Sequence, residues 1–145
     1  MEKIPPENMI KLRTGLLGLR GRPEEELLAA GPREHAAVYD FLDFLDGANA
    51  SPVGLWRYLG ICYLAAHTCL AKAEKESPAN PKSAGLAEDA RLEMAELRRI
   101  ADVIVRSGVE NPEGISPDVI DRDGMDEKDL SFDDLPETGH EARDF

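Results

Sequence analysis

Between Ser51 and Glu76 the chain reads SPVGLWRYLGICYLAAHTCLAKAEKE, and its apolar residues return with helical rather than strand spacing. Ser51 suits an N-cap and Pro52 the first turn. At about 100° per residue, Leu59, Tyr63, Ala66 and Leu70 fall on one stripe, with Trp56 and Cys62 on its shoulders. Ile61 and Leu64 fall on the opposite side. A helix that is apolar over so much of its girth is expected at the centre of a fold, with one side left for a neighbour.

The rest of the chain repeats the helical pattern and offers almost no period-two alternation. A first helix is expected from Asn8 to about Leu19, with Met9, Ile10, Leu12, Leu16 and Leu17 as its apolar positions. Pro23 opens a second, whose acids Glu24, Glu25 and Glu26 suit the positive end of the helix dipole. Gly31-Pro32 breaks it, and a helix from about Arg33 to Asp46 follows, burying Val38, Phe41, Leu42 and Leu45. After the loop Ser77–Pro81, a further helix is expected from Ser83 to Ser107, with Leu86, Ala90, Leu97, Ala101 and Ile104 as a near-heptad seam. Gly108 stops it. On this helix Leu92 and Val103 sit off the seam, and with Ile61 and Leu64 they are expected to meet partners. The expected fold is all-α: a bundle of about four amphipathic helices over residues 1–110, followed by an extended acidic tail over residues 111–145.

Charge sharpens that division. The chain has 29 acids, 17 bases and a formal net charge of −12. Eleven acids and three bases lie from Asp118 onward, so about two-thirds of the net charge sits at the C-terminal end. This balance disfavours direct nucleic-acid binding. The opening MEKIPPENMIKL lacks a secretion pattern, and no run approaches a membrane span, so no membrane partner is expected. Cys62 and Cys69, seven apart on one helix, are separated by about 10.5 Å of rise and cannot form a disulfide. Two buried free thiols suit a reducing compartment, and a cytoplasmic setting, or a particle assembled there, is expected. Arginine outnumbers lysine and alanine is abundant, a composition that leans towards a bacterial, archaeal or phage source.

Two motifs in the tail invite specific readings. Asp121-Arg122-Asp123-Gly124 resembles the start of a calcium loop, but the glycine falls at the fourth position rather than the sixth, and Phe132 stands where the loop needs glutamate. Leu135-Pro136-Glu137-Thr138-Gly139 matches the pentapeptide of cell-wall sortase substrates, yet His140–Phe145 supply neither the apolar span nor the basic end of such substrates. Neither motif is expected to be functional. His67 lies near both cysteines in sequence, but it stands about 140° round the helix from Cys62, with Cys69 about 200° further on, so the three cannot converge from one helix and no metal is expected. No phosphate loop, His-Glu-x-x-His, Gly-x-Ser-x-Gly or paired Glu-x-x-His occurs. No cofactor and no enzymatic activity are expected.

What remains is recognition of another protein. Asp40, Asp43 and Asp46 recur every third residue, an arrangement of like charges that natural helices avoid by a few tenths of a kcal/mol per charge. They form a candidate face for a basic partner. Arg91, Arg98, Arg99 and Arg106 share the side of their helix away from the seam, a candidate receptor for an acidic segment of this chain or of a neighbour. In the tail, Leu130, Phe132, Leu135 and Phe145 are spaced among acids, as in segments that dock on binding, and Ser131 is a candidate cap for a final turn. The expected function is a non-enzymatic subunit or adaptor of a larger assembly, docking through its C-terminal arm or self-associating. The alternative is an acidic inhibitor, such as an immunity-type protein, antitoxin or nucleic-acid mimic, seated in a basic cleft.

Overall fold

The computed structural model describes residues 3–20, 36–76 and 78–131, and among these the secondary structure is entirely helical. Five α-helices are found: α1 Pro6–Arg20, α2 Ala36–Phe44, α3 Pro52–Glu76, α4 Pro81–Arg106 and α5 Pro117–Asp123. A 3-10 turn, Glu127–Leu130, follows. The helix expected from Pro23 lies outside the described residues.

The central pair is α3 and α4, antiparallel across a short loop. The Ser51 hydroxyl accepts from the Gly54 amide at 2.9 Å, capping α3 as expected. α4 begins two residues before the expected Ser83, and Asn80 caps it: its side chain accepts from Lys82 N at 3.1 Å, and Pro81 takes the first turn. The fully buried positions between them include Leu55, Leu59, Leu97, Ile100 and Ile104. The α4 seam differs from expectation at one end. Leu86 is 59% exposed, and Ser83 and Ala87 join the expected Ala90 in carrying the stripe through the first turns. Small residues there let the helices approach closely.

α1 and α2 pack on each other and on α4. Among the described side chains of α1, Leu12 and Leu16 are fully buried, while Ile10 and Leu17, two more of its apolar positions, are exposed. Val103 is 5% exposed rather than free for a partner, because α1 crosses it at Gly15, where a Cβ would meet Val103 Cγ1 at 2.6 Å. α2 buries Val38 and Phe41, and Leu45 is buried just beyond it. Phe41 and Phe44 hold this flank against α3 through Tyr58, at 4.8 and 4.4 Å between ring centroids.

The other flank is built by residues 109–131, so the expected boundary at residue 110 is corrected: the body continues to the 3-10 turn. Val109, Ile115, Ile120 and Leu130 all belong to the core. Local hydrogen bonds shape the route. Asn111 donates to the Ile115 carbonyl at 2.7 Å and accepts from the Ile115 amide at 3.1 Å, closing a turn through Gly114 at φ 65°. Ser116 caps α5 by accepting from Val119 N at 3.2 Å, with Pro117 in the first turn. Gly124, at φ 72°, ends the helix. The Asp126 carboxylate then caps the 3-10 turn at Lys128 N, and Ser131 ends that turn; the final turn expected after Ser131 lies outside the described residues.

Candidate functional site

Arg57 follows Leu55 and Trp56 on α3, inside the apolar first turns, and its side chain is only 8% exposed. A guanidinium cannot lose its proton, so burial demands partners. Its Nε and Nη2 donate to the two oxygens of Glu113 at 2.7 and 2.6 Å, a two-pronged pair. Its Nη1 donates to the Ser131 carbonyl at 2.6 Å. One buried cation therefore ties α3 to the loop before α5 and to the end of the 3-10 turn. Beside it, Leu130 is fully buried over Gly60: a Cβ at that glycine would meet Leu130 Cδ2 at 2.8 Å and Ile115 Cγ2 at 2.9 Å. The missing side chain is the notch into which the C-terminal segment locks.

A second polar group lies on the α3/α4 side of α5. The Tyr63 hydroxyl donates to Asp121 at 2.9 Å, and His67 Nε2 lies 3.8 Å from the same carboxylate. Arg98 donates to Asp118 at 2.8 Å and to Asp121, with its guanidinium 5.5 Å over the Tyr63 ring. Loss of water around Tyr63, with the Asp121 hydrogen bond, raises its phenol above the usual range. Arg98 is raised too, chiefly by Asp118. Asp121, the expected head of a calcium loop, thus sits within a helix and is engaged by three side chains. Among the described residues no cluster of histidine, cysteine or acidic groups could hold a metal ion.

Of the four arginines expected to receive an acidic segment, Arg98 takes Asp118 and Asp121 of the chain's own C-terminal segment. The others pair locally: Arg91 with Glu74 and Glu88, Arg99 with Glu96, and Arg106 with Asp102 at the i,i+4 spacing. Leu130, expected as a partner anchor, is corrected to an anchor within its own body. Phe132, Leu135 and Phe145 lie outside the described residues.

The acidic face on α2 is divided. Asp46 lies beyond the helix and pairs with Arg13 at 2.6 Å. Asp40 and Asp43 are exposed and make no ion pair among the described residues. Their field reaches across to α3 and α4. Reduced hydration and the nearby Asp40 raise the Glu93 carboxyl, and burial, with Cys62 and Asp40 adding to it, raises the Tyr58 phenol. Burial pushes the Cys62 thiol up to about 11, which leaves it a weak nucleophile. Cys69 is exposed, against the expectation of two buried thiols.

A third feature is an open apolar groove of about 480 Å³ along the outward side of α3. Ile61, Leu64, Ala65 and Thr68 form its floor, and Leu130 and Glu127 its wall. Ile61 and Leu64, expected to lie off the core stripe, are half-buried here, and Leu92 is 50% exposed elsewhere. No helix among the described residues is long and apolar enough to cross a membrane.

Arg57, Glu113 and the Tyr63–Asp121 pair are sequence features whose roles emerge only in the fold. A lone arginine between Trp56 and Tyr58, two residues before the core residue Leu59, is the signal that marks the first of them. Comparison with protein-family models, curated proteins and solved structures finds no match for this chain.

Proposed function

We propose that this chain is a non-enzymatic interaction protein, a subunit or adaptor of a larger assembly that docks on a neighbouring protein through its last fourteen residues. The observation that carries the reading is the fixed root of that arm. Arg57 holds the Ser131 carbonyl and Leu130 fills the notch over Gly60, so residues 132–145 depart from a defined point on a rigid body. A tethered segment with a fixed origin keeps its docking groups at high local concentration near the body. The arm carries Phe132, Leu135 and Phe145 among five acids and one base. Large apolar side chains would provide the affinity, and the acids the choice of a basic rim on the partner. The test is a capture experiment from the native host with the full chain and with a Phe132→Asp/Leu135→Asp variant. The reading expects a partner retained by the first and lost by the second; equal retention would overturn it.

A second reading rests on Asp40 and Asp43, whose carboxylates make no ion pair among the described residues; Asp40 adds to the effect of burial in raising Glu93 on α4, and Asp43 to that in raising Tyr58 on α3. A face of this kind suits an acidic inhibitor entering a basic cleft. Such a complex weakens steeply with salt, and an affinity indifferent to salt would exclude it.

A further inference from the structure

We infer that the groove on α3 is the receptor for the arm of a second copy of this chain, so that two copies exchange arms. The inference rests on the docking-arm reading and names its partner. Three observations carry it.

The first is the chemistry of the face. Continuing the groove at helical spacing, Lys72 and Lys75 fall within the same arc of about 100° as Ile61, Leu64, Ala65 and Thr68. Both lysines are exposed and make no ion pair among the described residues. An apolar floor that runs into two available cations complements a segment in which Phe132 and Leu135 alternate with Asp133, Asp134 and Glu137. Phe132 and Leu135, three apart, suit a single helical turn laid into a groove.

The second is direction. Leu130 seats over Gly60 and Ser131 is held by Arg57, one turn nearer the start of α3. Up to Ser131 the described chain therefore runs towards the N-terminal end of the helix, while Thr68, Lys72 and Lys75 lie the other way. An arm entering its own groove would have to reverse at once past the Arg57 hold. An arm arriving from another molecule enters from the open end.

The third is the wall of the groove. Leu130, which forms it, is part of the segment that launches the arm, so donor and receptor are built on the same few residues. Reciprocal exchange then closes as a two-fold dimer without leaving a further groove or arm unmatched.

The test uses the full chain with substitutions on either side of the contact, followed by light scattering coupled to size exclusion. Ala65→Glu, at an exposed helical position, blocks the groove; Phe132→Asp/Leu135→Asp disables the arm. Circular dichroism checks that each remains folded. The native chain is expected to run as a dimer and each variant as a monomer. An equimolar mixture of the two variants is expected to recover a dimer, because one copy still offers an arm and the other a groove. Lys72→Glu/Lys75→Glu is expected to weaken the native dimer by about tenfold in Kd, with added salt acting in the same direction. A native chain that is monomeric throughout, or two monomeric variants whose mixture stays monomeric, overturns exchange between copies. If the arm substitutions still abolish capture of another protein while the native chain is monomeric, this inference falls and the docking-arm reading stands. If they change neither property, both fall.

Discussion

The chain carries two concentrations of acid that look alike in sequence and differ in what faces them. Asp118 and Asp121 on α5 meet Arg98, with Tyr63 and His67 beside them, and Glu113 meets the buried Arg57. Asp40 and Asp43 on α2 make no ion pair among the described residues, and burial, with Asp40 adding to it, raises the Glu93 carboxyl and the Tyr58 phenol. Acid placed opposite arginine becomes structure, closing the C-terminal segment on the α3/α4 pair. Acid placed opposite acid remains a source of field directed at the solvent. Net charge alone does not separate the two uses.

Substitutions that treat the two regions alike should have unequal effects. The largest is expected at the apolar end of the neutralised region. Leu130→Ala empties the notch over Gly60 and should cost about 2–5 kcal/mol in denaturant unfolding. A loss no larger than that of an exposed leucine such as Leu92 would mean that the C-terminal segment is not part of the cooperative unit. Next comes the buried pair, where the two partners should not be equivalent. Glu113→Ala leaves Arg57 charged at 8% exposure and should cost about 3 kcal/mol. Arg57→Met leaves Glu113 at 36% exposure, able to regain water, and should cost less. Equal losses would sink this account of where the desolvation lies. Tyr63→Phe removes one donor from Asp121 while Arg98 remains, and about 1 kcal/mol is expected.

The smallest effect lies on the unneutralised side and has the opposite sign. Because the folded protein raises the Glu93 carboxyl, the native state binds its proton more readily than the unfolded chain does. The contribution of this group to stability therefore falls as pH rises from the ordinary carboxylate range through the raised value. Glu93→Gln should raise the melting temperature slightly at pH 7, and the gain should vanish in acid below the ordinary carboxylate pKa of about 4.3. A gain independent of pH would point to packing instead.

The central helices were legible because their signals are local. Ser51-Pro52 and the stripe through Leu59, Tyr63 and Ala66 define α3 without reference to anything distant. The start of α4 shifted because Asn80-Pro81 is as good a cap as any residue near Ser83, and the seam shifted because alanine and serine mark close approach as effectively as leucine marks burial. The C-terminal flank was misjudged for a different reason. Ser116-Pro117 repeats the capping signal of Ser51-Pro52, and Ile115, Ile120 and Leu130 are ordinary core residues, but the surrounding acids gave the segment the character of a solvated tail. Whether an acid is solvated depends on the residue across from it. Arg98 and Arg57 are far away in sequence, and no local window contains both sides of those pairs.

The notch at Gly60 bears on how the protein is made. Its floor is synthesised before the midpoint of the chain, and the leucine that fills it is among the last residues of the body to appear. During synthesis, the apolar side of α3 around that glycine must wait through the formation of α4 uncovered, and through that of α5 with Ile115 alone over it. This is a long-range closure of the kind that slows folding. A chain stopped between Gly108 and Ile115 would display the bare seat, and one stopped between Ile115 and Leu130 a seat filled on one side only.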